Sequence, residues 1–352
     1  MNIRKIRYRL FISAILLIAL VPIFTFLVAT EFSAGSINYN QILYDIAGKT
    51  FFADVYVRHP DGKIKLLSPS KDGIYYQPHI NAQGDKVVFY GNDMGSPRIW
   101  IADTETGNAV ALTPETSGAR HAVFSWDGSM IAFASDRAHE QDPERIELMR
   151  GNGLPPKNSF LNLFIMDPDG QNVRQITHGE YQDQRPAFRP DGKMLAFVSD
   201  RGGGMRLWTV ESDGNHEPRA LQQTGWGYRP WYSADGRWIY LFSGINKRHQ
   251  ICKIPASGGD ILPLSNDDTG ISHGPFIDYD NKALLMHSTR NGQFGIWELP
   301  LDGTTPRQII ISDFGDAVAH ATRSKNGILA FDVYRQTFTR KICSSIRGLK
   351  NF

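Results

Sequence analysis

Five polar side chains and one glycine recur at the same place in a repeating sequence. They are Gln77, His121, Arg185, Arg229, Gly274 and His320, spaced 44, 64, 44, 45 and 46 residues apart. Two imidazoles, two guanidinium groups and an amide gathered in one place would favour an anion, because guanidinium groups pair carboxylates bidentately. The imidazoles should add to that charge as they protonate below about pH 6.5. His273 stands one residue before the gap at Gly274 and is taken with the ring, while His79, Arg120 and Gln184 lie close by in sequence. The same residues also fit a structural role, since lone Arg and His side chains in such places usually hydrogen-bond backbone carbonyls.

These positions matter only if a fold brings them together, and the spacing says that one does. Each lies seven residues before a turn position: Gly84, Gly128, Gly192, Gly236, Asn281 and Gly327. A second ruler runs through Tyr56, Trp100, Phe164, Trp208, Cys252 and Trp297, spaced 44, 64, 44, 44 and 45. Both rulers place one insertion of about 20 residues in the same copy. The clearest copy, Arg185 to Leu221, reads as four strands: Pro186–Phe188, the apolar run Met194–Val198, Leu207–Val210 and Arg219–Leu221. The turns Pro190-Asp191-Gly192 and Ser212-Asp213-Gly214 separate them, with glycine supplying positive φ. Four-stranded units of this length are β-propeller blades, which bury their faces against each other. The expected class is therefore all-β, a β-propeller of six four-stranded blades. His320–Gly327 should supply the first strand of the closing blade, with Ile42–Tyr44, Asp54–Val57 and Ile64–Leu67 as the other three. Seven blades are the alternative, because Ile328–Phe331 and Lys341–Cys343 read as further second and third strands.

The wording PAFRPDGKMLAFVSDR, FSWDGSMIAFASDR and LFIMDPDGQNVRQIT resembles the TolB-like, WD40-like (PD40-type) propeller repeat, over residues 41–335. The resemblance implies the fold strongly and function weakly. It implies a non-enzymatic protein-interaction scaffold of the bacterial envelope, with an envelope protein as partner. At the ring positions, relatives more often carry small, polar or acidic residues, so His, Arg and Gln there are a departure. The alternative is a carbohydrate-active enzyme or binder of acidic oligosaccharides. Oligogalacturonate lyases have a similar repeat style, with His, Gln and Arg at the channel mouth and a bound divalent metal. On that resemblance Gln77, His79, His121, His273 and His320 would offer ligands, and Arg185 and Arg229 would hold a uronate carboxylate. His121 or His320 would take the α-proton. The longer motifs of that family are absent.

Arg4, Lys5, Arg7 and Arg9 precede Leu10–Thr30, which holds no charge in 21 residues and is long enough to cross a bilayer as a helix. An uncleaved signal anchor fits this length; a cleaved signal peptide, cut near Val28-Ala29-Thr30 or Ala34-Gly35-Ser36, is the alternative. Both export the propeller to the periplasmic or extracytoplasmic side, and the anchor would tie it to the inner membrane. The expected domains are 1–30 (signal), 31–40 (linker) and 41–346 (propeller), with an insertion at 137–160. In that insertion Asp142 would cap a short helix over Pro143–Met149, and the whole would serve as a lid or an epitope. Asp136-Arg137, Asp200-Arg201 and Thr289-Arg290 read as local pairs that fix turns rather than serve a substrate. Cys252 and Cys343 read as small buried hydrophobes. Lys and Arg total 38 against 36 Asp and Glu, with no basic tract that would suggest nucleic acid. No Gly-x-Ser-x-Gly elbow, phosphate loop or His-Glu-x-x-His motif is present, so no catalytic residue, metal or cofactor is assigned. A peptidase domain fused behind the propeller is not expected.

Overall fold

The structure is a computed structural model and describes residues 51–336, apart from 71–72, 93–95, 140–159, 223–224, 246–247, 266–271, 291–294 and 312–316. The N-terminal segment, most of the insertion with its expected helix, and Cys343 lie outside the described residues. Among these residues no helix is long and apolar enough to cross a membrane. Among the described residues the one helical element is a 3-10 turn at Arg137–His139.

The chain runs through β1 (Phe51–Arg58), β2 (Ile64–Leu66), β3 (Ile74–Ile80), β4 (Lys86–Asn92), β5 (Arg98–Asp103) and β6 (Ala109–Ala111). Then follow β7 (Ala119–Phe124), β8 (Ile131–Ser135), β9 (Asn162–Met166) and β10 (Arg174–Gln175). Next come β11 (Gln184–Phe188), β12 (Met194–Ser199), β13 (Arg206–Glu211) and β14 (Arg219–Ala220), then β15 (Tyr228–Tyr232), β16 (Trp238–Ile245), β17 (Arg248–Pro255) and β18 (Leu262–Pro263). The last are β19 (Ser272–Ile277), β20 (Ala283–Ser288), β21 (Gly295–Pro300), β22 (Arg307–Ile311), β23 (Ala317–Arg323) and β24 (Leu329–Gln336). Four sheets each hold four consecutive strands, and an eight-stranded sheet contains β23, β24, β1, β2 and β3 to β6. This is an all-β propeller. The first strands contact one another in turn, β3–β7–β11–β15–β19–β23 and back to β3.

Local chemistry explains the units. In the turn after β11, Gly192 takes φ 71° and donates its N–H to Arg189 O at 2.8 Å, while Asp191 accepts the Lys193 N–H at 3.0 Å. The second strands are buried on both faces; β8 and the Leu195–Ser199 stretch of β12 have every residue buried. The third-strand aromatics pack as the ruler predicted. Trp100, Phe164 and Trp297 are buried, Cys252 is fully buried in the same role, and burial pushes its thiol up to about 12. The repeat arginines differ in what they touch. Arg137 lies over Phe133 and Phe164, and Arg290 over Trp297, both as cation–π contacts. Arg201 bonds the buried Asp183 at 2.5 Å and not its neighbour Asp200, whose carboxylate accepts the Gln182 N–H.

Closure also differs from the expectation. β24 pairs β1 over eight residues, from Phe51↔Gln336 to Arg58↔Leu329, so two strands come from each end of the chain rather than one and three. The apolar run Leu329–Phe331 is thus the second strand of the closing sheet, not the start of a further one. Phe331 stacks on Tyr56 with centroids 6.0 Å apart. Phe331→Ala should destabilise the chain by about 3–5 kcal/mol, the usual cost of emptying a buried aromatic site. Urea unfolding measures this, and a loss below about 1 kcal/mol would contradict the closure described.

Candidate functional site

Each first strand carries an irregularity at its ring position. The pairing with the second strand shifts between Tyr76 and His79, Arg120 and Val123, Gln184 and Ala187, Tyr228 and Trp231, His273 and Phe276, and Ala319 and Thr322. In every case the ring residue is left-handed: Gln77 (φ 54°), His121 (59°), Arg185 (56°), Arg229 (57°), Gly274 (63°) and His320 (48°). A bulge of this kind leaves residues off the ladder and re-aims a side chain. It also explains why Pro78, Pro186, Pro230 and Pro275 can follow, since no ladder N–H is required there.

The sequence placed the ring at the mouth of a channel. The structure gathers these residues on the wall of one cavity of about 70 Å³, bounded by Gln77, His121, Arg185, Arg229, Gly274 and His320, with parts of the following residues. Arg185 Nη1 donates to Gln77 Oε1 at 3.2 Å, and its guanidinium lies 4.8 Å over the Tyr228 ring. The Gln77 N–H donates to Asp332 Oδ2 at 2.7 Å, and His320 Nδ1 lies 2.7 Å from the same oxygen. Arg229 reaches to Gly274, where an added Cβ would stand 2.8 Å from Nη1. Arg229 has no hydrogen-bond partner among the described residues. Neither do both His121 nitrogens, Arg185 Nε, the Tyr90 hydroxyl and Asp332 Oδ1, all buried.

The left-handed turn falls on Gly274, and it is Gly274, not His273, that bounds the cavity. The His273 ring packs on Phe242, His249 and His287, with Nε2 in hydrogen-bond contact with His249 Nδ1. His79 is tied into the structure: its Nδ1 accepts the Phe124 N–H at 2.9 Å and its ring stacks on Trp231. Gln184 likewise accepts from the Tyr228 hydroxyl at 3.3 Å.

Asp332 was missed. It faces Ala319 on the second strand, where the other sheets place Tyr90, Ala134, Val198, Phe242 and His287. The signal was a carboxylate interrupting the apolar run Leu329–Val333.

Burial governs the charges. It pushes the Asp332 carboxyl up to about 7, against the opposing pull of the Gln77 N–H and Arg229. Burial, and then the Arg185 guanidinium, bring Arg229 down to about 9. The ring histidines do not become cations near pH 6.5 as expected. Burial first, then the neighbouring arginines, hold His121 and His320 well below that range.

A larger cleft of about 600 Å³ lies at the turns beside β20 and β21. Its charged groups satisfy one another: Arg323 bonds Asp278 at 2.6 Å and Glu298 at 2.5 Å, and Arg307 bonds Glu298 at 2.8 Å. That network links β20's turn, β21, β22 and β23.

The buried imidazoles make stability depend on pH. Burial lowers His79 to about 3, and lowers His121, His249, His273, His287 and His320 as well. The unfolded chain therefore binds protons below about pH 6.5 that the folded chain refuses. Stability is full above that pH and is lost below it, by up to about 1.4 kcal/mol per histidine per pH unit. Asp332, raised in the fold, has the opposite sign between about 4 and 7 but offsets only one proton. The melting temperature should fall steeply from pH 6.5 to pH 5; a flat profile would mean these rings are solvated.

With the geometry in hand, likeness to known proteins can be placed. Residues 156–317 match the family described as the TolB beta propeller domain (PD40). A TolB homologue of Chlorobium chlorochromatii is 27% identical over 195 residues, covering 48% of this chain and 44% of that protein. The uncharacterized peptidase YuxL of Bacillus subtilis is 28% identical over 178 residues, 47% of this chain and 26% of that protein. The chain thus spans less than half the length of these relatives. Among solved structures, one described as a TolB from Agrobacterium tumefaciens superposes with a TM-score of 0.63 at 13% identity, covering 82% of this chain and all of that one; this likeness concerns the fold alone. Repeat wording, sheet order and these matches together support the TolB-like (PD40-type) β-propeller repeat family for this chain.

Proposed function

We propose that this chain is a six-bladed TolB-like propeller on the extracytoplasmic side of a bacterial membrane, held there by an N-terminal anchor at Leu10–Thr30. It works as a non-enzymatic scaffold that docks an envelope protein over the end of its channel. One observation carries the proposal. Five of the six bulge positions hold bulky polar residues in a left-handed conformation that glycine would adopt without strain. Such strain costs about 1–3 kcal/mol per residue and persists where the surroundings impose it, typically at functional sites. Side chains retained at that cost, with several polar atoms left unpartnered, fit a role outside the fold's own stability.

Scale favours docking over catalysis on a sugar. Small-molecule pockets run to about 300–1,000 Å³, whereas the cavity at the ring is about 70 Å³. A uronate ring beside a base does not fit that space; one group projecting from a larger partner does. The exposed Trp226 and Tyr181, which precede β15 and β11, offer apolar contacts of the kind protein interfaces use.

Crosslinking and affinity capture from membranes tests the reading. Wild type should retain a discrete envelope protein that is lost from Arg185→Ala/Arg229→Ala and kept by Arg237→Ala, a change at an exposed turn. Equal capture by all three forms, or no specific protein in any, would sink the scaffold proposal.

A further inference from the structure

Arg229 is the least explained group in the molecule. Its guanidinium is carried into the middle of the propeller, beside that of Arg185, with no hydrogen bond to any described residue. Arg229 is partly buried, and a charge withdrawn from water is ordinarily paired, because an uncompensated one is unfavourable. Around it the orphaned atoms cluster. His121 is 6% exposed, lines the cavity, and has neither ring nitrogen bonded. Arg185 is held by Gln77 through Nη1 while its Nε has no partner. Gly274 leaves the space into which Arg229 extends, since a Cβ there would crowd Nη1 at 2.8 Å and His287 Cε1 at 3.1 Å. The nearby negative group, Asp332, is already bonded to the Gln77 N–H and His320 and cannot balance both guanidinium groups.

We propose that the cavity is a binding site for a single carboxylate group, which Arg229 and Arg185 clasp and His121 caps with one N–H. Planar carboxylates match the guanidinium fork in geometry and charge. A volume of about 70 Å³ holds a few waters or one such group, but not a sugar or nucleotide. The carboxylate comes either from a small free acid or from an acidic side chain of a docked protein. In the second case the inference deepens the scaffold reading by naming what the channel grips. The site itself can be tested with no partner present, so the two fail separately.

The test is thermal unfolding of the full chain at constant pH and ionic strength. The probes are sodium acetate, acetamide, and a capped pentapeptide Gly-Gly-Glu-Gly-Gly. Acetate should raise the melting temperature with a saturable dependence on concentration, as a ligand of the folded state does; acetamide should not. Arg229→Met should melt about 2–4 °C above wild type without ligand, because it removes a partly buried charge that lies against the Arg185 guanidinium, and should not respond to acetate. A structural arginine would give the opposite sign. A peptide response at least as strong as that of acetate assigns the site to acidic side chains, and a response to acetate alone assigns it to free acids. No saturable response in wild type, or an undiminished response in Arg229→Met, would overturn the proposal.

Discussion

The structure turns on one backbone constraint: an extra residue in each first strand, held left-handed where the strands converge. In an ordinary strand, successive side chains alternate between faces, and neighbouring sheets would claim both faces for packing. The bulge breaks that alternation once in each first strand and frees one side chain to point along a third direction, into the channel. Everything distinctive about the interior follows. The residue after the bulge can be proline, because its N–H has no ladder partner. The aimed side chains are buried or half-buried, because the cavity they line is only about 70 Å³. Its chemistry is set by the second-strand residue facing the bulge, which is Tyr90, His287 or Asp332 at the polar positions.

The cavity wall is uneven as a result. Gln77, Asp332 and His320 form one bonded cluster centred on Asp332 Oδ2. Opposite in character are Arg185, Arg229 and His121, whose polar atoms are only partly used. Burial pushes Asp332, His320, His121 and Arg229 towards their neutral forms, and Arg229 resists because the intrinsic basicity of a guanidinium is so high. The interior therefore keeps its positive charge across the physiological range from arginine, not histidine. This contrasts with the larger cleft beside β20, where Arg323 and Arg307 are matched by Asp278 and Glu298 and contribute bracing.

Much of this was legible in the sequence. The period, the four-strand unit and the ring positions could be read because each glycine turn and each third-strand aromatic is chemically distinctive and recurs in register. What failed depends on geometry finer than the period. Whether His273 or Gly274 faces the cavity depends on which residue takes positive φ, and a two-residue window cannot show that. The hairpin after β23 closes from Ser324 to Ile328, one residue tighter than the Asn81 to Lys86 hairpin after β3. Counting from the glycine therefore hides the equivalence of Asp332 with Tyr90 and His287. The neutral state of His121 and His320 follows from burial, which the ring position alone does not give. The closing strand β24 was readable as a strand, but its partner was not, because pairing across some 280 residues leaves no local mark.

The central claim is that the ring residues are held in a strained left-handed conformation for what their side chains do. The most direct measurement compares alanine with glycine at the same bulge position, as Arg185→Ala against Arg185→Gly, and His320→Ala against His320→Gly, by equilibrium unfolding. Both members of each pair remove the functional side chain, so the difference reports the backbone. In a strand or helix interior, glycine is the less stable by about 0.5–1 kcal/mol; the account predicts the reverse here, with glycine more stable than alanine by about 1 kcal/mol at both positions. Alanine equal to or more stable than glycine would contradict it.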